Sequence, residues 1–285
     1  VASRFVHLHT HSHYSLLDGA ATIDGLIDAA LREKMPALAL TDHGNMFGSM
    51  EFYKVALAKG IKPIIGYESY VAPGGRTDRT TRESEATAHH LTLLVADGTG
   101  YKNLLKLASE AYLTGFYYRP RIDLELLKAH HQGLIALSGC MSGQVARMIL
   151  SDDMEGAERI AMQYQDLFGK GNFYLEAQDH GLSEQKRMCA GMLALSRKTG
   201  IPLVATNDVH YLRRDDCEAH DVMLCINTGK LFDDPKRMRM RTDQMYFKSA
   251  AEMARLFDGM EQALENTAEI AERCNLKLDL GTLHF

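Results

Sequence analysis

Several features are missing from this sequence, and each absence removes a class of protein. No apolar run approaches the ~20 residues that a bilayer-spanning helix needs, and no signal peptide opens the chain, so a cytoplasmic protein without a membrane partner is expected. The five cysteines, Cys140, Cys189, Cys217, Cys225 and Cys274, are odd in number and never spaced C-x-x-C, which argues for reduced thiols over a disulfide framework. Tryptophan is absent. There is no Walker A or G-x-G-x-x-G loop to cradle phosphates. A net charge of -5 exerts no global pull toward nucleic acid, although an acidic protein can carry a local basic patch. Hydrophobic residues at 46% and charged residues at 24% are ordinary for a globular chain. No Gly-, Pro- or Ser-rich linker divides it, so residues 1–285 are expected to form one domain.

What is present in excess is histidine, 13 residues in clusters. His7, His9, His11 and His13 occupy every second position, and alternate residues of a strand share a face. A strand over 4–9 would therefore be loaded with nitrogen ligands on one side. Thr22 is placed to cap a helix over 23–33 that ends before Pro36. A compact apolar strand over 37–41 follows, then a helix over 46–59 ended by Gly60, a strand over 61–67, and a polar loop over 73–88. Further short apolar runs cover 91–95, 134–137, 173–175 and 203–205, separated by helical stretches near 100–113, 142–168 and 182–199. Seven strands alternating with helices predict a parallel sheet curled into a (β/α) barrel. After Tyr211 the chain turns mainly helical, near 213–226, 250–257 and 261–274.

Barrels of this kind build their sites at the C-terminal ends of the strands. The residues found there are His9, His11 and Asp18 after the first run, His43 after the second, Glu68 after the third, Cys140 after the fifth, Glu176 and His180 after the sixth, and Asp208 and His210 after the seventh. A lone histidine at a strand end is usually structural and a lone aspartate usually a helix cap. Their coincidence on one rim is harder to explain that way. His89 and His90 precede the fourth run, which would place them at the opposite rim of an ideal barrel.

His9-Thr10-His11-Ser12 with Tyr14-Ser15-Leu16-Leu17-Asp18-Gly19, Thr41-Asp42-His43-Gly44, Ser138-Gly139-Cys140 and Asn207-Asp208-Val209-His210-Tyr211 resemble the polymerase and histidinol phosphatase (PHP) domain. Gly115-Phe116-Tyr117-Tyr118-Arg119-Pro120-Arg121-Ile122-Asp123 resembles the version at the N-terminus of bacterial replicative DNA polymerase III alpha subunits, the C-family polymerases. The resemblance implies an α/β fold, a distorted seven-stranded (β/α) barrel with, here, a helical C-terminal tail. It also implies up to three divalent ions held by nine ligands. Matched position by position, these are His9, His11, Asp18, His43, Glu68, His90, Cys140, Asp208 and His210. Cys140 stands where some relatives carry histidine, and the match brings His90 back into the set. His7 and His13 lie outside the matched positions and are expected to support the site or to be structural, and Glu176 and His180 are not expected to ligate directly.

Imidazole, carboxylate and thiolate ligands together suit zinc, with manganese or iron as substitutes. Three such ions against Asp18, Glu68, Asp208 and a Cys140 thiolate leave about +2 by ligand counting, which suits a phosphoester. Metal-bound water would be the nucleophile, so no catalytic side chain is required. The expected activity is a 3'-5' exonuclease that removes mispaired nucleotides for an attached polymerase. A metal-stabilised structural module and a small-molecule phosphomonoesterase are the alternatives. An amidohydrolase is disfavoured because no bridging lysine occurs in Leu91 to Val95. Partners would be DNA, the remaining polymerase domains and a separate proofreading subunit. The chain starts without methionine and stops before a polymerase palm could fit, so an excised domain is expected. For DNA contact, Tyr117, Tyr118, Arg119 and Arg121 interleave rings and cations, and Lys236 to Arg241 alternates basic with apolar residues as an edge strand would.

Overall fold

The computed structural model describes residues 4–80 and 88–282. Part of the polar loop expected over 73–88 lies outside the described residues. The strands are β1 (Ala37–Leu40), β2 (Lys62–Val71), β3 (His89–Val95), β4 (Arg121–Ile122), β5 (Leu134–Leu137), β6 (Phe173–Ala177) and β7 (Leu203–Ala205). They form one curled sheet in the order β1-β2-β3-β5-β6-β7, with β4 added to β2. The helices are α1 (Ile23–Arg32), α2 (Ser49–Lys59), α3 (Gly98–Leu113), α4 (Leu124–His130), α5 (Gln144–Leu150), α6 (Met154–Phe168), α7 (Ser183–Thr199), α8 (Cys217–Thr228), α9 (Ala250–Leu256) and α10 (Glu261–Arg273). This is the distorted (β/α) barrel with a helical tail that the sequence predicts.

Local signals decide several boundaries. Thr22 accepts a hydrogen bond from Gly25 N and starts α1, while Gly60 closes α2 in the left-handed conformation that glycine adopts without a Cβ penalty. The helical stretch expected over 142–168 divides in two. Asp152 takes a positive φ of 62°, and the Asp153 side chain caps the next helix by accepting from Gly156 N. The short β4 and α4 are absent from the sequence reading because two residues of strand and seven of helix leave too little periodicity.

Two corrections matter more. Residues 4–9 are not a regular strand. The segment instead closes the barrel through separated hydrogen bonds: Ala39 N to the His7 carbonyl, Thr41 N to Thr10, His11 N to Val209 and Val209 N to His9. And the sheet is not all parallel, because β3 runs antiparallel to both β2 and β5.

Alternation along the strands produces two apolar layers. Val6, Leu8, Ala37, Ala39, Ile64, Leu94, Ile135, Leu137, Tyr174 and Val204 fill the barrel, joined by Ile270, Ala271 and Cys274. Their sequence neighbours, such as Leu38, Ile65, Leu93 and Ala136, face outward to the helices. The last helix is therefore a plug, and Asn266 fixes it by donating to the Leu203 carbonyl.

Candidate metal centre

At the open end of the barrel the expected ligands converge. Glu68, fully buried in β2 three residues beyond its last pair with β1 and bridged to His43, is the centre. Its Oε1 lies 3.3 Å from His9 Nε2 and 2.8 Å from His90 Nδ1, and its Oε2 lies 3.4 Å from His11 Nε2 and 2.5 Å from His43 Nδ1. Asp208 Oδ1 sits 3.4 Å from His9 Nε2, 3.1 Å from His11 Nε2 and 3.6 Å from His210 Nδ1. Asp18 Oδ2 sits 3.5 Å from His43 Nε2 and 4.0 Å from His210 Nε2. Cys140 Sγ closes the far side, 3.5 Å from His90 Nδ1 and 3.9 Å from Glu68 Oε1.

The antiparallel β3 explains His90. A strand that runs opposite to its neighbours brings its N-terminal residues to the rim where they bring their C-terminal ones, so a histidine before the apolar run reaches the site. Gly139 lets the following turn press close: at φ 82° its missing Cβ would stand 2.6 Å from the His90 carbonyl oxygen.

These atoms fit divalent cations better than they fit one another. His9 Nε2, His11 Nε2, His43 Nδ1, Glu68 Oε2, Asp208 Oδ1 and Asp18 Oδ1 are buried without a hydrogen-bond partner. Buried polar atoms are rarely left so, and six in one place need an explanation. Several of the gaps, 3.1 to 3.5 Å, match the ~3.4 Å separation of two ligands on a tetrahedral ion at ~2.1 Å. Three groups each bring their donor atoms within 4.8 Å: His9, His11 and Asp208; His11, His43 and His210; and His43, Glu68 and His90.

A surrounding layer holds the donors in place. Glu176 is fully buried, and its Oε1 accepts from His9 Nδ1 at 2.6 Å and from Thr206 Oγ1 at 2.5 Å. Its Oε2 accepts from Gly139 N at 3.0 Å, so one carboxylate aligns an imidazole and the Cys140 turn together. With Nδ1 so occupied, His9 presents Nε2 to the centre. His180 Nε2 bonds the Asn207 carbonyl, and Lys248 donates to Asn207 Oδ1. His220 Nε2 meets the Asp18 carbonyl at 2.7 Å. Lys248 and His220 escape a sequence reading because each lies on the tail, far from any motif. His7 packs between Phe5 and Phe247 and bonds the Lys248 carbonyl, while His13 is exposed beside Tyr14.

Burial opposes every charge in the centre, and the groups hold one another charged. Burial alone would raise Glu68, but His90, His43 and His9 keep its carboxyl well below the ordinary range. Asp208 is likewise held low by His9 and His210, and Asp18 by His43 and His210. Burial would lower His9 and His43, yet Glu176 and Asp208 raise the first and Asp18 and Glu68 the second, both well above the usual imidazole value. His11 goes the other way: burial and the neighbouring His43 and His210 push it down to about 3, so it is a neutral imidazole, the form that a metal ligand takes. Burial, Glu68 and Asp208 push the Cys140 thiol up. Protons stand here where cations would relieve the same carboxylates.

The PHP domain family matches residues 7–180, which contain seven of these nine positions. This chain belongs to the PHP domain family. PHP relatives include DNA polymerase III subunit alpha of Treponema pallidum (strain Nichols), 48% identical over 274 residues, and that of Thermus aquaticus, 46% identical over 284. The alignments cover 96% and 98% of the chain but 23% of each relative, so the chain spans about a quarter of their length. Among solved structures, an amidohydrolase from Chromobacterium violaceum overlays with a TM-score of 0.46 at 16% identity, covering 72% of this chain and 87% of that one, too loosely to carry an inference.

The basic and aromatic stretches of this PHP chain divide sharply. Arg121, expected at a DNA surface, is 1% exposed and donates to the carbonyls of Gly115, Arg76 and Asp78, with its guanidinium over the Tyr117 ring. It anchors the loops, and half-buried Tyr117 packs on it. Arg119 and Tyr118 instead line a cleft of about 470 Å³ that also contains Asp18 and His43. Arg119 donates to the Tyr70 hydroxyl at 2.8 Å. Tyr118 takes a φ of 58°, uncommon for a bulky side chain and costing roughly 1–3 kcal/mol. The Lys236 to Arg241 stretch is irregular and not an edge strand. Arg237 is consumed by Asp221 and Arg241 pairs with Glu184, while Arg239 lines a smaller cleft with Cys140 and Asp208. Among the described residues no helix is long and apolar enough to cross a membrane.

Proposed function

We propose that this chain is a metal-dependent phosphoesterase, a 3'-5' exonuclease that trims DNA ends in the cytoplasm for a replicative polymerase of which it forms one part. The reading is carried by the convergence of His9, His11, Asp18, His43, Glu68, His90, Cys140, Asp208 and His210 on one buried centre whose donor atoms lack partners and whose edge opens into a cleft. The similarity to polymerase III alpha subunits supports DNA as the substrate and the other polymerase domains, with a proofreading subunit beside them, as partners. Zinc suits the nitrogen, oxygen and sulfur donors, and manganese or iron would be accepted by the same set. When bound, such ions supply Lewis acidity, lower the pKa of water and offset phosphate charge.

The chain's own residues do the rest. Glu68 and Asp208, held ionised, would hold the cations in the centre, and Glu176 holds His9 in the orientation that presents Nε2. Arg119 waits at the cleft wall, braced by Tyr70, where it can neutralise a phosphate. In the hydrolysis the oxygen of water bonds to phosphorus, the P–O3' bond breaks, and the 3' oxygen leaves with a proton. A 5'-labelled single-stranded oligonucleotide tests this. The zinc- or manganese-loaded chain should shorten it stepwise from the 3' end, and a His9→Ala, His11→Ala variant should not. Failure to shorten it, or equal shortening by the variant, overturns the reading. Hydrolysis of p-nitrophenyl phosphate alone would make the chain a small-molecule phosphatase, and a metal-dependent melting temperature without hydrolysis would make it a structural module.

A further inference from the structure

The cleft beside Asp18 and His43 has a second feature that the hydrolytic centre does not use. Phe47, just before α2, and Tyr112, near the end of α3, both line it and stand 57% and 41% exposed. Their ring centroids are 6.1 Å apart, and Tyr112 stacks in turn on Phe116, 50% exposed, at 6.2 Å with the planes 25° apart. Large apolar rings left in water beside a charged cleft are costly, since each forgoes burial that a core position would provide. Three in a connected row, two of them in the cleft that also contains Asp18 and His43, form a platform. Among the described residues lining the cleft, Arg119 is the one permanent cation, and it sits on the same wall as Tyr118.

We propose that the Phe47–Tyr112–Phe116 row is a base-stacking track for single-stranded DNA, with Arg119 holding a phosphate between the track and the centre. The occupant follows from the chemistry. Every base has a π face, so flat rings without hydrogen-bonding partners bind a strand irrespective of sequence, while one guanidinium meets the backbone. Duplex DNA keeps its bases stacked on one another and cannot use the row. The cleft volume of about 470 Å³ falls in the range of sites for small organic groups and leaves room for a nucleotide. No sequence signal marks this row, because Phe47 lies in an irregular turn and Tyr112 sits near the end of a helix that also exposes Leu105 and Leu113.

This inference rests on the phosphoesterase reading only for the direction in which the track leads, and its test separates the two. Fluorescence anisotropy compares a short phosphorothioate oligo(dT) with an abasic phosphorothioate strand of the same length on the metal-loaded chain. Oligo(dT) should bind about tenfold tighter or more, the gain expected from stacking one or two bases. The Phe47→Ala, Tyr112→Ala variant should bind both strands equally. The Phe47→Leu, Tyr112→Leu variant, which keeps apolar bulk without the rings, should do the same and guards against a folding defect. Arg119→Gln should weaken both strands alike. Equal binding of the two strands by the wild type, or discrimination retained in both double variants, overturns the proposal. If the wild type discriminates but hydrolyses no phosphodiester, the track stands and the exonuclease reading falls. If the leucine variant cleaves single strands with unchanged kcat/KM, the exonuclease stands and the track falls.

Discussion

At one end of the barrel Ile270 and Ala271 of α10, with Cys274 just beyond it, pack in one apolar cluster with Val6, Leu8 and Ala37, and the few polar contacts there are paired. At the other, a few strand residues away, three carboxylates and a set of imidazoles share a space that holds six partnerless polar atoms. The same strands supply both. The plugged end is stable without anything added, because apolar side chains satisfy one another. The open end is a set of mutually repelling or protonated groups that burial penalises, and it invites a ligand that the chain itself does not contain. Stability and function are thus separated along the barrel axis, which makes them separable by experiment.

The largest expected effect comes from the open end. Saturating zinc at ~1,000 times its dissociation constant should stabilise the chain by ~4 kcal/mol, seen as a rise in melting temperature that a chelator reverses. Glu68→Gln should abolish that rise, since Glu68 touches four of the imidazoles. A chelator-insensitive wild type would break the comparison. Next is the plug: Ile270→Ala should cost about 3 kcal/mol in denaturant unfolding and leave the zinc content by elemental analysis unchanged. Loss of zinc with the plug mutation would show that the ends are coupled.

A smaller change is expected from Glu176→Gln. Losing the charge behind His9 should weaken zinc affinity by roughly 10–100-fold, measured by competition with a chelating dye, while the fold persists through the hydrogen bonds an amide still makes. The smallest concerns Cys140. Its thiol is held protonated in the metal-free chain, since burial, Glu68 and Asp208 raise its pKa well above the ordinary value. Ligation as thiolate must release that proton, so zinc binding at pH 8 should release about one fewer proton from Cys140→Ser than from wild type, measured by calorimetry in buffers of different ionisation enthalpy. The sign follows directly: lower pH opposes zinc binding, and less so in the serine variant.

Much of the open end was legible from residues alone. His9, His11, His43, Glu68, Asp208 and His210 each follow or flank an apolar run, and a barrel gathers such positions on one rim. Thr22 and Gly60 mark helix ends by mechanisms that act within a few residues. His90 is the instructive case. Its position in the chain points to the wrong rim, and only the resemblance carried it into the set, because the antiparallel run of β3 is set by pairing with β2 and β5 across the sheet. Arg119 and Arg121 show the same limit. Two residues apart and chemically equal, they part company because one side chain finds three carbonyls inside and the other finds a tyrosine hydroxyl at a cleft.

The sequence by itself determined which chemistry this chain can hold: ligand types, their order, and a strand-helix alternation that must bury apolar faces and leave strand ends polar. These follow from periodicity and side-chain identity, which are local. Only the tertiary structure decided strand direction, the plugging of the barrel by α10, the support of His9 by Glu176, and which cations and rings face the cleft. Those depend on partners far apart in the chain, as Glu176 is from His9, and on competition among burial, pairing and packing that no short window of sequence contains.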